Sequence, residues 1–352
     1  MAEHKAGIGF LGTGFMGQLA HLANYADNPD CQVMALAEVR PGLAQAVAAR
    51  YGVQTVYADH RDLLADTKVE AVVCSQPFHN NYLLGRQVLA AGKALITEKP
   101  MVTRLEDGQE LVDLARQKGV IYAVGFMKRY DPGVQVARQV IRELVETGEL
   151  GALRMVDAYC YAGDWLQNIG RPVLIEEETQ APPVVNRYPA HVPPQRQDAY
   201  DYLINVFAHN VNLIRYLLPG GQMTVANGLF YGQAVSLNLS AGEVVVSLRG
   251  TPVHYHDWQE ETRFVFEKGH VTVRTPAPMN RQAVARVTIY RALPPVRDER
   301  ELFAEIDWGF RRQARGFVAA LLGGAPPLAG GEDCLQDVAI LEDVMRKATF
   351  AS

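Results

Sequence analysis

No stretch of this 352-residue sequence approaches the roughly 20 consecutive apolar residues that a helix needs to cross a bilayer. The amino-terminal MAEHKAGIGFLG has no long apolar run behind a basic flank, which argues against a secretory signal. Cysteine is scarce. The four that occur, Cys31, Cys74, Cys160 and Cys334, form no CxxC pair and no Cys/His cluster. A disulfide framework and a thiolate metal site are therefore disfavoured, and buried free thiols in a reducing compartment, the cytoplasm, are expected. Nor is there an excess of basic charge. The 34 Lys and Arg against 39 Asp and Glu leave a formal net charge of −5, so neither a nucleic acid nor an anionic membrane surface is an expected partner. Internal repeats and low-complexity tracts are lacking too.

What remains is the balance of a soluble globular protein, 48% hydrophobic and 21% charged, in a chain long enough for two domains. The first third alternates short apolar runs with amphipathic ones. It predicts strands at 6–11, 32–38, 53–58, 71–75, 94–97 and 120–124, and helices at 16–24, 41–51, 59–66, 82–91 and 105–118. That alternation is the pattern of βαβ units, giving an α/β domain with a doubly wound parallel sheet over 1–126. Beyond it, a helix at 134–146 precedes strands at 152–161, 225–229, 234–239, 243–249, 261–266 and 270–273. Helices are expected at 200–218, 302–322 and 335–347. These predict an α+β domain over 127–352 built on a large, open, mostly antiparallel sheet. A Pro-rich stretch at 163–197, with Pro172, Pro182, Pro183, Pro189, Pro193 and Pro194, has no periodicity and reads as a lid, a binding or oligomer arm, or disorder.

The sequence GIGFLGTGFMG places Gly12-x-Gly14-x-x-Gly17 directly after the first strand and at the mouth of a helix. The three glycines serve a tight turn, close approach of backbone to a pyrophosphate, and close packing of helix on strand. The pyrophosphate would rest on the amides of the helix N-terminus, so Thr13, Phe15 and Met16 join the glycines as dinucleotide contacts. Glu38 closes the second strand, where its carboxylate can accept from both ribose hydroxyls and would repel a 2′-phosphate. NAD is the expected cofactor. Arg40, two residues on, could clamp a 2′-phosphate and keeps NADP as the alternative.

A lysine at the carboxyl end of a parallel strand points into the crevice where such sheets bind ligands, and Lys99 of Glu98-Lys99-Pro100 has that position. Its ammonium can hydrogen-bond a substrate hydroxyl or trade a proton with it. Pro100 fixes the backbone beyond and admits a cis peptide.

The glycine loop, Glu38, Ala91-Gly92-Lys93, Glu98-Lys99-Pro100, Gly125-Phe126 followed by Lys128-Arg129-Tyr130, and Phe264-x-Phe266-x-x-Gly269 together resemble the Gfo/Idh/MocA oxidoreductase family. The resemblance runs over nearly the whole chain. It implies a Rossmann domain followed by a mostly antiparallel sheet, a homodimer or homotetramer, hydride transfer at a ring carbon, and Lys99 as a catalytic or orienting residue. Where the family reads D-x-G-x-H-x-x-D, this chain has Asn205, Phe207, His209 and Asn212. On a regular helix 205, 209 and 212 share a face with Tyr202, which makes His209 the second acid/base candidate and Tyr202, Asn205 and Asn212 candidate substrate contacts. Where the family reads TP-x-x-x-H, this chain has Gln76 and Pro77, with Asn81 in place of the histidine and His79 out of register. Gln76, Pro77, Asn81 and Glu98 are placed with the cofactor.

Asparagine orients a hydroxyl but does not take its proton, so proton movement falls to Lys99 and His209. Trp165 could line the substrate pocket, pack internally or touch another subunit. Arg129 could reach substrate or nicotinamide, or sit in a structural ion pair. The expected function is NAD(P)-dependent hydride transfer to or from a sugar, keto-sugar or cyclic polyol. A reductase of a non-sugar carbonyl or imine, and a dinucleotide-sensing regulator without turnover, are the alternatives. His254 and His256 lack a third ligand, so no metal is expected.

Overall fold

The computed structural model describes residues 4–167, 169–177 and 184–351; Pro182 and Pro183 of the proline-rich stretch lie outside the described residues. By its packing the chain divides into two units. The first comprises Met1–Phe126, Gly170–Tyr188 and Phe310–Val338, and the second Met127–Ile169, Pro189–Gly309 and Ala339–Ser352. Two late segments thus count with the first unit.

In the first unit, strands β1 (Ala6–Leu11), β2 (Cys31–Ala37), β3 (Thr55–Tyr57), β4 (Ala71–Cys74), β5 (Ala94–Thr97) and β6 (Tyr122–Val124) form one sheet in the order β3-β2-β1-β4-β5-β6. Every pairing is parallel. Strands β1, β4 and β5 are buried along their whole length, which is why they read as unbroken apolar runs rather than alternating ones. Helices α1 (Ala23–Ala26), α2 (Pro41–Tyr51), α3 (His60–Ala65), α4 (Asn81–Ala90) and α5 (Leu105–Lys118) connect them. Gly52 (φ 70°) and Gly119 (φ 66°) end α2 and α5 in the left-handed conformation that a side chain disfavours. Phe10 meets Tyr25 edge-on at 5.5 Å in the core, and Phe317 and Val318 return from late in the chain to the same cluster. The helix expected at 16–24 differs in kind: residues Gly17–Leu22 wind as a π-helix before α1 begins.

The second unit begins with α6 (Pro132–Thr147). Asp131 caps it by accepting from the Val134 amide at 3.1 Å, Pro132 occupies its first turn, and Gly148 (φ 66°) ends it. Strand β7 (Leu153–Ala162) follows, then α7 (Gln197–Tyr202), a π-helical stretch at Leu203–Phe207, and α8 (Ala208–Leu217). Strands β8 (Thr224–Tyr231), β9 (Ala234–Ala241), β10 (Val244–Pro252), β11 (Gln259–Phe266), β12 (Gly269–Arg274), β13 (Arg286–Leu293) and β14 (Val296–Leu302) come next. Helices α9 (Gly309–Leu321) and α10 (Gly331–Lys347) and strand β15 (Ala348–Ala351) end the chain. The sheet has nine strands in the order β14-β13-β12-β11-β7-β10-β9-β8-β15. It is mostly antiparallel, with β7–β10 and β8–β15 paired in parallel. Helix α6 packs on β12 and β13, and α8 packs on α6.

Strands β13, β14 and β15 are additions to the expected set. The sequence VRDEREL of β14 is too charged to read as a strand, but it lies at a sheet edge, where charge is tolerated and blunts edge-to-edge association. The helix expected from 302 accordingly starts only at Gly309. All four cysteines are buried free thiols, and burial pushes Cys31 up to about 11 and Cys74 up to about 12. Among the described residues no helix is long and apolar enough to cross a membrane.

Candidate functional site

The glycine turn follows β1 at the point where the order of the first sheet reverses, between β1 and β4. Gly12 has φ 86°, and a Cβ there would lie 2.2 Å from Gln76 Nε2 and 2.5 Å from the Ser75 carbonyl oxygen. At Gly17 a Cβ would sit 2.6 Å from the carbonyl oxygen of Gly12. These two positions close the turn. At Gly14 such a Cβ would meet, among the described residues, Arg40 Nη2 alone, at 3.8 Å. Gly14, Phe15 and Met16 are partly exposed at the tip, whereas Gly12, Thr13 and Gly17 are buried beneath it. A dinucleotide fits this cradle: crowding forbids side chains at the two hidden glycines, and the space before the middle one is clear.

That division predicts separable effects. Gly14→Ala should melt at the wild-type temperature yet bind NADH at least about tenfold more weakly, because a new methyl meets ligand rather than protein. Thermal melting and fluorescence titration of reduced nicotinamide check this, and wild-type affinity in the variant would remove the loop from the site.

Glu38 is buried at the end of β2 and is more heavily engaged than its sequence position implied. Its Oε2 accepts from the Thr13 amide (2.9 Å), the Thr13 hydroxyl (3.1 Å) and Arg40 Nη2 (3.0 Å); its Oε1 accepts from the Arg40 amide (3.2 Å) and Arg40 Nε (2.8 Å). Burial works to raise the carboxyl, but the hydrogen bonds from Arg40 and Thr13 outweigh it and leave Glu38 below the usual carboxylate range. A ribose could take both oxygens only by displacing the half-exposed guanidinium of Arg40.

The Glu98-Lys99-Pro100 element is gripped from two sides. The Asn81 side chain is fully buried, and its Nδ2 donates at 2.8 Å to the carbonyl of Glu98 and at 2.8 Å to that of Pro100. Those carbonyls flank Lys99, and the Lys99–Pro100 bond is cis. Glu98 accepts from His21 Nε2 at 2.5 Å on one oxygen and from the Lys99 amide at 3.1 Å on the other. Burial works to raise Glu98, but hydrogen bonding and charge from His21, with charge from Lys99, hold it below its ordinary range. Both Asn81 and Glu98 therefore support Lys99. His21 was not picked out from the sequence, and no motif marks it. Lys93 is structural: its Nζ donates to the carbonyls of Asp66 (2.9 Å) and Val69 (2.6 Å). Gln76 abuts Gly12, and Pro77 is exposed ahead of a short turn at Phe78–Asn80.

In the second unit residues 202, 205, 209 and 212, expected to share a face, do not lie on one regular helix. The π-helical stretch at Leu203–Phe207 widens the turn and breaks the 3.6-residue phase. Asn205 is exposed, Tyr202 and His209 are half-buried, and Asn212 is buried. Asn212 Oδ1 accepts from Arg129 Nε at 2.7 Å, and the Arg129 guanidinium lies 5.0 Å above the Tyr216 ring. Arg129 and Asn212 thus brace α8 from inside. Tyr202 meets Phe207 edge-on at 5.8 Å, and burial pushes its hydroxyl above the usual range. Trp165 is 39% exposed, and its carbonyl accepts from the Met279 amide at 3.3 Å.

A parallel sheet whose order reverses beside a glycine turn, with an acid ending the second strand, defines the first unit as a dinucleotide-binding Rossmann domain. Residues 6–126 match the family model described as "Oxidoreductase family, NAD-binding Rossmann fold" (GFO_IDH_MocA). An inositol 2-dehydrogenase/D-chiro-inositol 3-dehydrogenase of Lactiplantibacillus plantarum is 32% identical over 46% of this chain and 46% of its own length. A levoglucosan dehydrogenase of Pseudarthrobacter phenanthrenivorans is 29% identical over 47% of this chain and 43% of its own. The chain spans about half the length of the curated relatives it matches. A solved 3-ketoreductase of Actinomadura kijaniata, in complex with NADP and TDP-benzene, superposes with a TM-score of 0.75 at 18% identity and 99% coverage of both chains. The fold is the same.

Proposed function

We propose that this chain is an NAD(P)-dependent dehydrogenase or reductase acting at a ring carbon of a sugar, keto-sugar or cyclic polyol. The observation that carries the reading is Lys99, held at the end of β5 by Asn81 and Glu98 in the same unit as the glycine turn. The similar inositol and levoglucosan dehydrogenases, by their names, act on cyclic polyhydroxylated compounds. Residues 12–17 and Glu38 would hold the dinucleotide, with NAD favoured by the buried carboxylate at the end of β2. When bound, it supplies hydride exchange with a carbinol or carbonyl carbon.

The protein's own part is to hold the substrate oxygen and move its proton. The Lys99 ammonium donates a hydrogen bond to that oxygen and, in the reducing direction, gives it a proton; the neutral amine takes the proton back in the oxidising direction. His209 is the proposed second carrier, since imidazole changes charge near neutrality. Asn205, Tyr202 and Trp165 are the proposed substrate contacts. The open face of the nine-stranded sheet, with Leu229, Tyr231 and Val245 exposed, is the proposed surface for homo-oligomer formation.

The test mixes protein with NADH or NADPH, follows nicotinamide fluorescence, and then screens cyclic polyols, keto-sugars and nucleotide sugars by the absorbance of reduced nicotinamide. Binding followed by turnover on at least one class is the expected result. Failure to take up either dinucleotide would overturn the reading, and binding without turnover on any class would make the chain a sensor.

A further inference from the structure

Resting on the dinucleotide reading above, we propose that Glu177 is a specificity-determining residue: its carboxylate holds the place beside Arg40 that the 2′-phosphate of NADP would need, so the chain selects NAD. The residue comes from the Pro-rich stretch, far along the chain, and folds within the first unit. Glu177 Oε2 accepts from the Gly42 amide at 3.0 Å, and Oε1 from the Leu43 amide at 2.9 Å.

Those amides open α2, and Pro41 ahead of them has no N–H to offer. An anion is favoured there by the helix dipole. In Rossmann domains the acid ending the second strand faces the 2′ position of the adenine ribose, and an arginine nearby receives a 2′-phosphate. Here that acid is Glu38 and the arginine is Arg40. Arg40 is already bound through two nitrogens to Glu38, and the negative charge of Glu177 adds to the field that favours its protonation. A 2′-phosphate would therefore meet two carboxylates and one guanidinium already committed, with the two α2 amides occupied.

The segment carrying Glu177 is pinned independently of any ligand. Val173 exchanges hydrogen bonds with the Gln18 side chain, its amide donating to Oε1 at 2.8 Å and its carbonyl accepting from Nε2 at 3.1 Å. Arg50 Nη1 donates to the Arg171 carbonyl at 2.9 Å, and Ile175 lies against Gly42. Gln18 directly follows the last glycine of the turn, so the strap is fastened to both helices that border the adenosine side of the site.

The experiment is a fluorescence titration of the full chain with NADH and NADPH, for wild type, Glu177→Gln and Glu177→Lys, at low and high salt. The expected result is a ratio of NADPH to NADH dissociation constants that falls about tenfold in Glu177→Gln and further in Glu177→Lys. High salt should shrink the difference between the variants, since it screens the repulsion. NADH titration also reports that each variant is folded. Binding of NADH with a ratio unmoved, to within about twofold, in both variants overturns the role of Glu177 and leaves the dinucleotide reading standing. Uptake of neither dinucleotide by wild type overturns both.

Discussion

Replacing Lys99 by methionine is expected to lower turnover of the true substrate by about 10²–10⁴-fold, the range that a positioned acid or base contributes. The dissociation constant of NADH should move far less, by about tenfold or under. The asymmetry follows from how the residue is held. Asn81 fixes the carbonyls on either side of Lys99, and Glu98 fixes its amide, so the backbone keeps its course when the side chain changes. Methionine preserves the length of the aliphatic stem and removes only the ammonium. Lys99→Arg separates charge from proton transfer: guanidinium keeps the charge but does not give up its proton at working pH. If proton transfer is the role, arginine fails nearly as badly as methionine; if charge alone matters, arginine recovers most of the rate. Stopped-flow or steady-state rates with a substrate from the screen decide it. Wild-type turnover in Lys99→Met would remove Lys99 from the chemistry.

The Rossmann half was legible because its signals are local. Unbroken apolar runs such as GIGF and AVVC, glycine stops at Gly52 and Gly119, and a glycine turn between strand and helix each depend on a few neighbours. The supports of the site were not legible. Asn81 looked like a histidine lost from a family motif, yet the structure uses both hydrogens of its amide to clamp the Lys99 segment, a role set by residues 17 and 19 positions away. The pairing of His21 with Glu98 spans 77 positions and that of Glu177 with α2 about 135, and no periodicity records contacts so distant. The interrupted helix of 202–212 has a different cause. Sequence reading assumes 3.6 residues per turn, and a π-helical stretch inserted at Leu203–Phe207 rotates everything after it. It ends at Phe207, two residues before His209, and such bulges are frequent at functional sites.

Replacing Lys128 by methionine is expected to lower the stability of the second unit by about 3–5 kcal/mol, with its melting temperature falling on the order of 10 °C. Lys128 lies on a short turn at Met127–Tyr130, and its ammonium contacts both oxygens of Glu260 on β11. Their side chains are 8% and 1% exposed. Asn210 Nδ2, on α8, donates to the same carboxylate at 2.7 Å and Trp258 Nε1 donates at 3.2 Å. Without the ammonium, a carboxylate excluded from water is left with two neutral donors, which do not offset the loss of its hydration. Lys128→Met combined with Glu260→Leu should recover part of the loss, because no buried charge is left uncompensated. The recovery stays partial, since the buried Asn210 amide then lacks an acceptor, at about 1–3 kcal/mol. A double-mutant cycle measured by thermal melting isolates the pair, and a single variant melting within about 2 °C of wild type would show the pair to be energetically silent. On the proposed role of His209, the consequence reaches chemistry through the neighbour of Asn210. His209 is next in sequence on α8, so loosening this network should also slow turnover, while leaving dinucleotide affinity in the first unit intact.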